Sequence, residues 1–364
     1  MPTVRLSLPH HAYDIVIEPG VLARAGALIA GAAPHARAAV VADEAVAESY
    51  GQQVRDALAA AGYDANTCTM PADESHKTLD TVASLLDAML GHRMERKSPV
   101  VAVGGGITGD VAGYVAASLL RGVPFVQCPT TLLAMVDASV GGKTGVNTRF
   151  GKNLVGAFHQ PAIVLIDPDT LTTLPGRELR GGLAECVKHG VIRDAELFDW
   201  IDQHLDAILA RDSETLVELI RRNVAIKAGV VQEDEKEQGV RAHLNFGHTF
   251  AHAIEGTQPK DDSAYSHGEA VSLGMVAAAR LAVDAGRCDA SVHDKLVALL
   301  ERIKLPTTSD RLADDEALLN VMRSDKKVSA GRVRLVLPDA MGAVRVVNDT
   351  PDAAVRAAWA ALRG

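Results

Sequence analysis

Cysteine is scarce in this chain. Its 364 residues include four, Cys68, Cys128, Cys186 and Cys288, spaced too widely for a zinc cluster or for the disulfide framework of a small secreted domain. Apolar runs of membrane length are missing, so no membrane partner is expected. MPTVRLSLPHHAYDI lacks the apolar segment of a secretory leader, and a cytoplasmic location is the expectation. Positive charge is in deficit: 37 Lys and Arg stand against 46 Asp and Glu, a net charge of −9. That excludes general nucleic-acid binding, though a local basic pocket stays compatible with it. Two catalytic motifs are also absent. Thr249 follows His248 where H-E-x-x-H needs glutamate, so a zinc peptidase is excluded. Asp137 occupies the first glycine position of a P-loop ending in GGKT, which argues against ATP hydrolysis.

What is present has the balance of a globular protein, 48% hydrophobic and 23% charged, and its length suggests two domains. TVRLSL and AYDIVIE alternate like an edge strand pair. ARAAVVAD, DANTCTMP, PVVAVGGG, PFVQCPTT and AIVLIDPD read as buried strands, with helical patterns between the earlier ones. Strands alternating with helices predict an N-terminal, Rossmann-like parallel α/β domain. After LTTLPGREL helical periods take over, and RVRLVLPDAMGAVRVV reads as a hairpin before a last helix. The expected division is therefore 1–177, an α/β domain, and 178–364, a mainly α-helical domain.

Three stretches carry candidate chemistry. GGGITGD, with Gly104, Gly105, Gly106, Gly109 and Asp110, follows an apolar strand and opens a helix. Glycines there let backbone approach a pyrophosphate at the helix N-terminus. The loop comes in the third βα unit, and Asp43, closing an earlier strand, is the candidate for a ribose. The long segment from Pro129 to Pro161 carries Lys143 and Lys152 after glycines, in what read as exposed turns able to grip an anion. Finally, His248 and His252 lie four apart on one helix face, and His267 opens the next helix, where the dipole should keep it neutral. With Glu185 they offer the two-His, one-carboxylate set of a catalytic zinc.

Taken in order, PADESHKTL, GGGITGD, RGVPFVQCPTTLLAMVDASVGGKTGVN, GKNLVGAFHQP, LPGRELRGGLAECVKHG, LNFGHTFAHAIE, HGEAV and DKKV resemble the 3-dehydroquinate synthase family of sugar phosphate cyclases. The resemblance implies a divalent metal, Zn2+ or Co2+, on Glu185, His248 and His267. It implies NAD against Asp43, Glu74, Lys77, Gly104, Gly105, Gly106, Gly109, Asp110, Thr130 and Thr131, with Lys143, Lys152, Thr170 and Thr173 nearby. Catalytic roles fall to Lys188, His252, Asp137, Glu237 and Asn245. Substrate contacts fall to Lys143, Lys152, Asn153, Lys227, Arg241, one of Lys326 or Lys327, and Arg121 reaching from a partner subunit, so a homodimer is implied. One departure is GTQPKDDSAYS (256–266), longer than the family pattern.

The implied reaction converts a small anionic phosphorylated sugar acid, 3-deoxy-D-arabino-heptulosonate 7-phosphate, to 3-dehydroquinate and phosphate. It runs through transient oxidation by NAD, elimination of phosphate, reduction and an intramolecular aldol. A metal stabilises an alkoxide and NAD carries the hydride. Arg241, with Lys227, suits the carboxylate; Lys143, Asn153, His252 and Arg121 suit the phosphate. Two other readings share the fold. An inosose or valiolone synthase would change the positions of Lys227, Asn245 and His252, and a glycerol-dehydrogenase-like enzyme has no need of Lys143, Lys152, Lys188 and Arg241.

Overall fold

The structure is a computed structural model describing residues 3–259, 264–324 and 333–363. The chain packs as two compact units, Met1–Pro175 with Ala210–Glu235, and Gly176–Leu209 with Lys236–Gly364.

The first unit is built on a seven-stranded sheet. In chain order its strands are β1 (Thr3–Leu8), β2 (His11–Ile17), β3 (Arg37–Asp43), β4 (Asp64–Met70), β5 (Val100–Gly104) and β6 (Phe125–Pro129). A hairpin of β7 (Lys143–Thr148) and β8 (Gly151–Phe158) intervenes before β9 (Ile163–Ile166) completes the sheet. The spatial order is β1-β2-β9-β6-β5-β3-β4. All neighbours are parallel except β1 with β2, which pair antiparallel from Thr3↔Val16 to Leu8↔His11.

RAAVVAD shows why the runs are continuously apolar. Ala38, Val40 and Ala42 enter one core with Val101, Val103 and Val126, under α1 (Ala25–Ala32) and α2 (Gln52–Ala60). Ala39 and Val41 point the other way, joining Val100 and Ala102 under α3 (Leu79–Gly91) and α4 (Gly106–Ser118). A parallel strand covered on both faces loses the polar half of its alternation.

Two expectations change here. Helices α5 (Gly176–Arg193) and α6 (Ala195–Leu209) belong to the second unit, but α7 (Ser213–Glu233), expected in the second domain, packs in the first. Its buried face runs from Leu216 to Val231, and near its end the Gln232 side-chain oxygen accepts the Ser7 N–H at 2.7 Å beside the edge strand. No local signal in a helical repeat says which sheet it will cover, so the sequence placed it with its helical neighbours. The second change concerns Lys143 and Lys152. They lie on strands of the hairpin, not in turns, and both are exposed.

The second unit holds α5, α6, α8 (His248–Thr257), α9 (His267–Asp284), α10 (Ala290–Ile303), α11 (Asp315–Ser324), the hairpin β10 (Leu335–Ala340)–β11 (Ala343–Val347), and α12 (Asp352–Leu362). Helix α9 is its axis, buried almost throughout from Gly268 to Ala282. Glycines bring its neighbours close. A Cβ on Gly268 would strike the backbone of Gly181 on α5, and one on Gly274 would strike the carbonyl of Gly247, the residue before α8. Gly247 itself has φ 78°, and a side chain there would lie 2.8 Å from Met275 N. These approaches set where the functional side chains of three helices can meet. Helices α1 and α11 lie beyond the elements expected from the sequence: α1 is apolar nearly all round, whereas α11 buries Leu318, Leu319 and Met322 on one face.

Candidate active site

In the first unit, β4 lies on one side of β3 and the next strand, β5, on the other. The winding reverses between β3 and β5, and ligands of open α/β sheets bind outside the carboxyl ends of strands at such a reversal. Asp43 closes β3 and Gly104 closes β5. The glycine loop therefore belongs to the third strand in sequence because that strand borders the switch. A Cβ on Gly104 would sit 2.9 Å from Asp43 Cβ and 2.8 Å from Thr108 Oγ1, so the turn needs glycine. Helix α4 starts at Gly106 after Gly105, with no side chain capping it, which leaves first-turn N–H groups for an anion. Gly109 has a packing reason too: a Cβ there would meet Gln127 Oε1 at 2.7 Å. Thr130 N–H donates to Gly104 O at 2.9 Å, fixing β6 against the loop, and Thr131 Oγ1 accepts from Ala134 N–H at 3.2 Å.

Around this crevice, buried Lys77 donates to Asp110 Oδ2 at 2.6 Å. Burial raises the Asp110 carboxyl above the ordinary range, and the Lys77 charge works against that shift. Glu74 Oε1 accepts from Asn147 Nδ2 at 2.8 Å and lies 3.8 Å from Lys152 Nζ. Asn147 N–H donates to Lys77 O at 2.8 Å, so the hairpin is pinned to the segment bearing Glu74 and Lys77.

The remaining first-unit candidates are spread more widely. Asp43 Oδ1 accepts from Ala45 N–H at 3.0 Å. Thr170 Oγ1 donates to Asp167 O at 2.8 Å, and Thr173 Oγ1 is 3.0 Å from the Tyr50 hydroxyl. Asn153 (φ 55°) is exposed, its N–H donating to Asn147 Oδ1 at 3.0 Å. The Lys227 ammonium binds the Asp137 carboxylate and carbonyl, so those two candidates form one ion pair. Arg121 is exposed with φ 72°, directly after Leu120 with φ 50°. Two consecutive left-handed non-glycine residues are a strained arrangement of the kind that collects at functional sites.

In the second unit, Glu185 is wholly buried on α5 and forms an ion pair with Lys188, one turn on and 1% exposed. His248 Nε2 lies 3.5 Å and His267 Nε2 3.6 Å from the same atom, Glu185 Oε1, which makes no hydrogen bond. Ligands about 2.1 Å from a tetrahedral ion stand roughly 3.4 Å apart. The three donor atoms, all within 4.8 Å of one another, thus fit a divalent metal of the zinc or cobalt type. Burial alone would raise the Glu185 carboxyl, but the ammonium of Lys188 and the two imidazoles hold it well below its ordinary value. Burial, with Lys188 beside it, pushes His248 well down, towards the neutral form that binds metal.

His267 departs from its sequence-based expectation. Burial disfavours its cation, but interaction with Glu185 and a hydrogen bond to Glu255 outweigh that and raise it to about 10 in the metal-free chain. Two carboxylates overcome one helix dipole. Glu255 is the residue that sequence reasoning missed; its partner stands 12 positions on, at the start of another helix.

His252 does not join the trio. Its ring packs edge-on, 5.8 Å from His248. Arg241 is 1% exposed, and Asn245, which closes the Val240–Asn245 helical turn, donates from Nδ2 to Glu237 Oε1 at 2.9 Å, just ahead of that turn. Lys326 and Lys327 lie outside the described residues.

A dinucleotide-type crevice at a sheet switch point, together with a helical unit presenting a His-His-Glu set around a buried glutamate, defines the class of metal-assisted, nucleotide-dependent alcohol and sugar phosphate enzymes. Comparison with known proteins narrows this. The 3-dehydroquinate synthase N-terminal model matches residues 67–181 and the C-terminal model residues 182–328. A 3-dehydroquinate synthase of Gloeobacter violaceus is 46% identical over 364 residues, covering 100% of both chains. One of Cyanothece sp. is 45% identical, covering 97% of this chain and 96% of its own. The chain belongs to the 3-dehydroquinate synthase family.

Among solved structures, the 2-epi-5-epi-valiolone synthase ValA of Streptomyces hygroscopicus, with NAD+ and Zn2+ bound, superposes with TM-score 0.88 at 32% identity, covering 98% of each chain. A 2-deoxy-scyllo-inosose synthase complexed with carbaglucose-6-phosphate, NAD+ and Co2+ superposes with TM-score 0.87 at 25% identity, covering 96% of this chain and 95% of its own. A probable glycerol dehydrogenase of Sinorhizobium meliloti, at 17% identity and TM-score 0.68, shares the fold.

Proposed function

We propose that this chain converts 3-deoxy-D-arabino-heptulosonate 7-phosphate to 3-dehydroquinate and phosphate, with NAD and Zn2+ or Co2+, as a phosphate-eliminating lyase. One observation carries the reading: two imidazole nitrogens converge on one unbonded, buried carboxylate oxygen in a helical cluster, in a chain about 45% identical to curated synthases. The first unit serves as the NAD-binding domain and the second as the mainly helical metal- and substrate-binding domain. When bound, NAD supplies a reversible hydride acceptor and the metal a Lewis acid for a substrate hydroxyl.

The chain's own residues do the rest. Lys188, paired with Glu185 in a dry environment, offers N–H donors to the oxygen of a substrate hydroxyl as negative charge develops there. Arg241 takes the carboxylate, because a planar fork matches two oxygens. Lys143, Asn153 and His252 serve the phosphate as cation or hydrogen-bond donors. Asp137 keeps Lys227 in place, while Glu237 and Asn245 hold each other. The Lys77–Asp110 pair firms the wall of the cofactor crevice.

Arg121 acts from the partner in a homodimer, which we place in the cytoplasm. Mixing Arg121→Ala and His248→Ala subunits should restore activity that each lacks alone; no restoration removes the partner's arginine from the site.

NAD is regenerated in this reaction. With substrate in large excess over cofactor, phosphate should accumulate over many turnovers while NADH stays transient. NADH building up in step with product would instead indicate a dehydrogenase. Turnover of a sugar phosphate lacking the carboxylate, in place of the heptulosonate, would indicate a sister cyclase.

A further inference from the structure

The two histidines of the cluster are held from behind by different groups. His248 Nδ1 is 3.1 Å from Phe246 O, a neutral backbone acceptor two residues earlier. His267 Nδ1 is 3.1 Å from Glu255 Oε1, a carboxylate on another helix. Both acceptors take an N–H from the rear of the ring, so each ring presents Nε2 towards Glu185 Oε1. Glu255 lies seven residues after His248 on α8, two turns along the same face, and its side chain is 10% exposed. His267 is the first residue of α9, directly after Ser266, whose N–H donates to Glu269 Oε2 at 2.8 Å and fixes the backbone there. The ring itself is held from α8, by Glu255.

We infer that Glu255 is a positioning residue for the metal: it sets the ring orientation and tautomer of His267, and its charge strengthens Nε2 as a donor. This rests on reading Glu185, His248 and His267 as the metal set. A carboxylate behind a ligating imidazole typically contributes about 10–100-fold in metal affinity. The bland reading is that Glu255 ties α8 to α9 and touches the metal site incidentally. The two differ in whether the effect passes through His267.

The test is Zn2+ binding to the metal-stripped full-length protein, without NAD or substrate, by calorimetry and by competition with a chromophoric chelator. Glu255→Ala and the nearly isosteric Glu255→Met should weaken binding about 10–100-fold, while Glu255→Gln, which keeps an acceptor oxygen, falls between them and the parent. Introduced into His267→Ala, the Glu255 changes should cause no further loss. Parent-like affinity in Glu255→Met overturns the inference, and so does an equal loss with or without His267. The underlying metal reading fails separately, if Glu185→Ala and His248→Ala retain parental Zn2+ affinity. Should Glu255→Ala not fold, the Met and Gln variants decide.

Discussion

Arg241 is among the largest side chains with almost no exposure, 1%. Its fork, more than its charge, is what a carboxylate ligand uses. Arg241→Lys should therefore weaken binding of the heptulosonate phosphate by tenfold or more, about 1.4 kcal/mol, measured by calorimetry on metal-free enzyme; unchanged affinity would exclude a bidentate contact. Lys77 makes the complementary case in the first unit. Lys77→Met leaves the Asp110 carboxylate half-enclosed without its cation, and urea unfolding should show a loss of about 3 kcal/mol, most of it recovered in Lys77→Met/Asp110→Asn. The Asp110 carboxyl is already raised by burial, so the folded state holds its proton to higher pH than the unfolded chain does. Stability then rises as pH falls through the raised value, and the deficit of Lys77→Met should shrink on acidification. A deficit that grows in acid would mean the pair is not what Lys77 contributes.

At the scale of elements, three helices deliver the metal ligands, and their approach depends on glycine. Gly268 lies beside His267 and against Gly181, four residues before Glu185. Gly268→Ala forces α9 off α5, which should cost about 1–3 kcal/mol and weaken Zn2+ binding, although no ligand is changed. Parental affinity in that variant would mean that the helices adjust without disturbing the donors. The sheet strands and the histidine helices were legible in the sequence because their signals are local: apolar runs of strand length, and histidines at helical spacing. The β7–β8 hairpin was not. GKNLVGAF has residues exposed on both faces, so no alternation marks it as a strand. Glu255 escaped notice for a different reason. Its meaning lies in a contact with His267 across an intervening linker, and the residues near it in sequence say nothing of that partner. The charge of His267 differs from the sequence-based expectation likewise, because the dipole can be read locally and the two carboxylates cannot.

For the whole molecule, the order of segments matters. The first unit is interrupted by Gly176–Leu209 and completed by Ala210–Glu235. A chain leaving the ribosome has therefore made every strand of the sheet, and two helices of the other unit, before α7 arrives to cover the β1 side and pair Lys227 with Asp137. Until then the β1 side that α7 covers stays wet, inviting chaperones or a neighbouring nascent chain. A fragment stopped at residue 177 should reproduce that unfinished state, binding a hydrophobic dye and unfolding without a sharp transition. A cooperative melt from the fragment would show the sheet is self-sufficient. If the fragment behaves as expected, α7 acts as a delayed clasp, and the unit that holds the cofactor loop becomes durable only after much of the other unit has been synthesised.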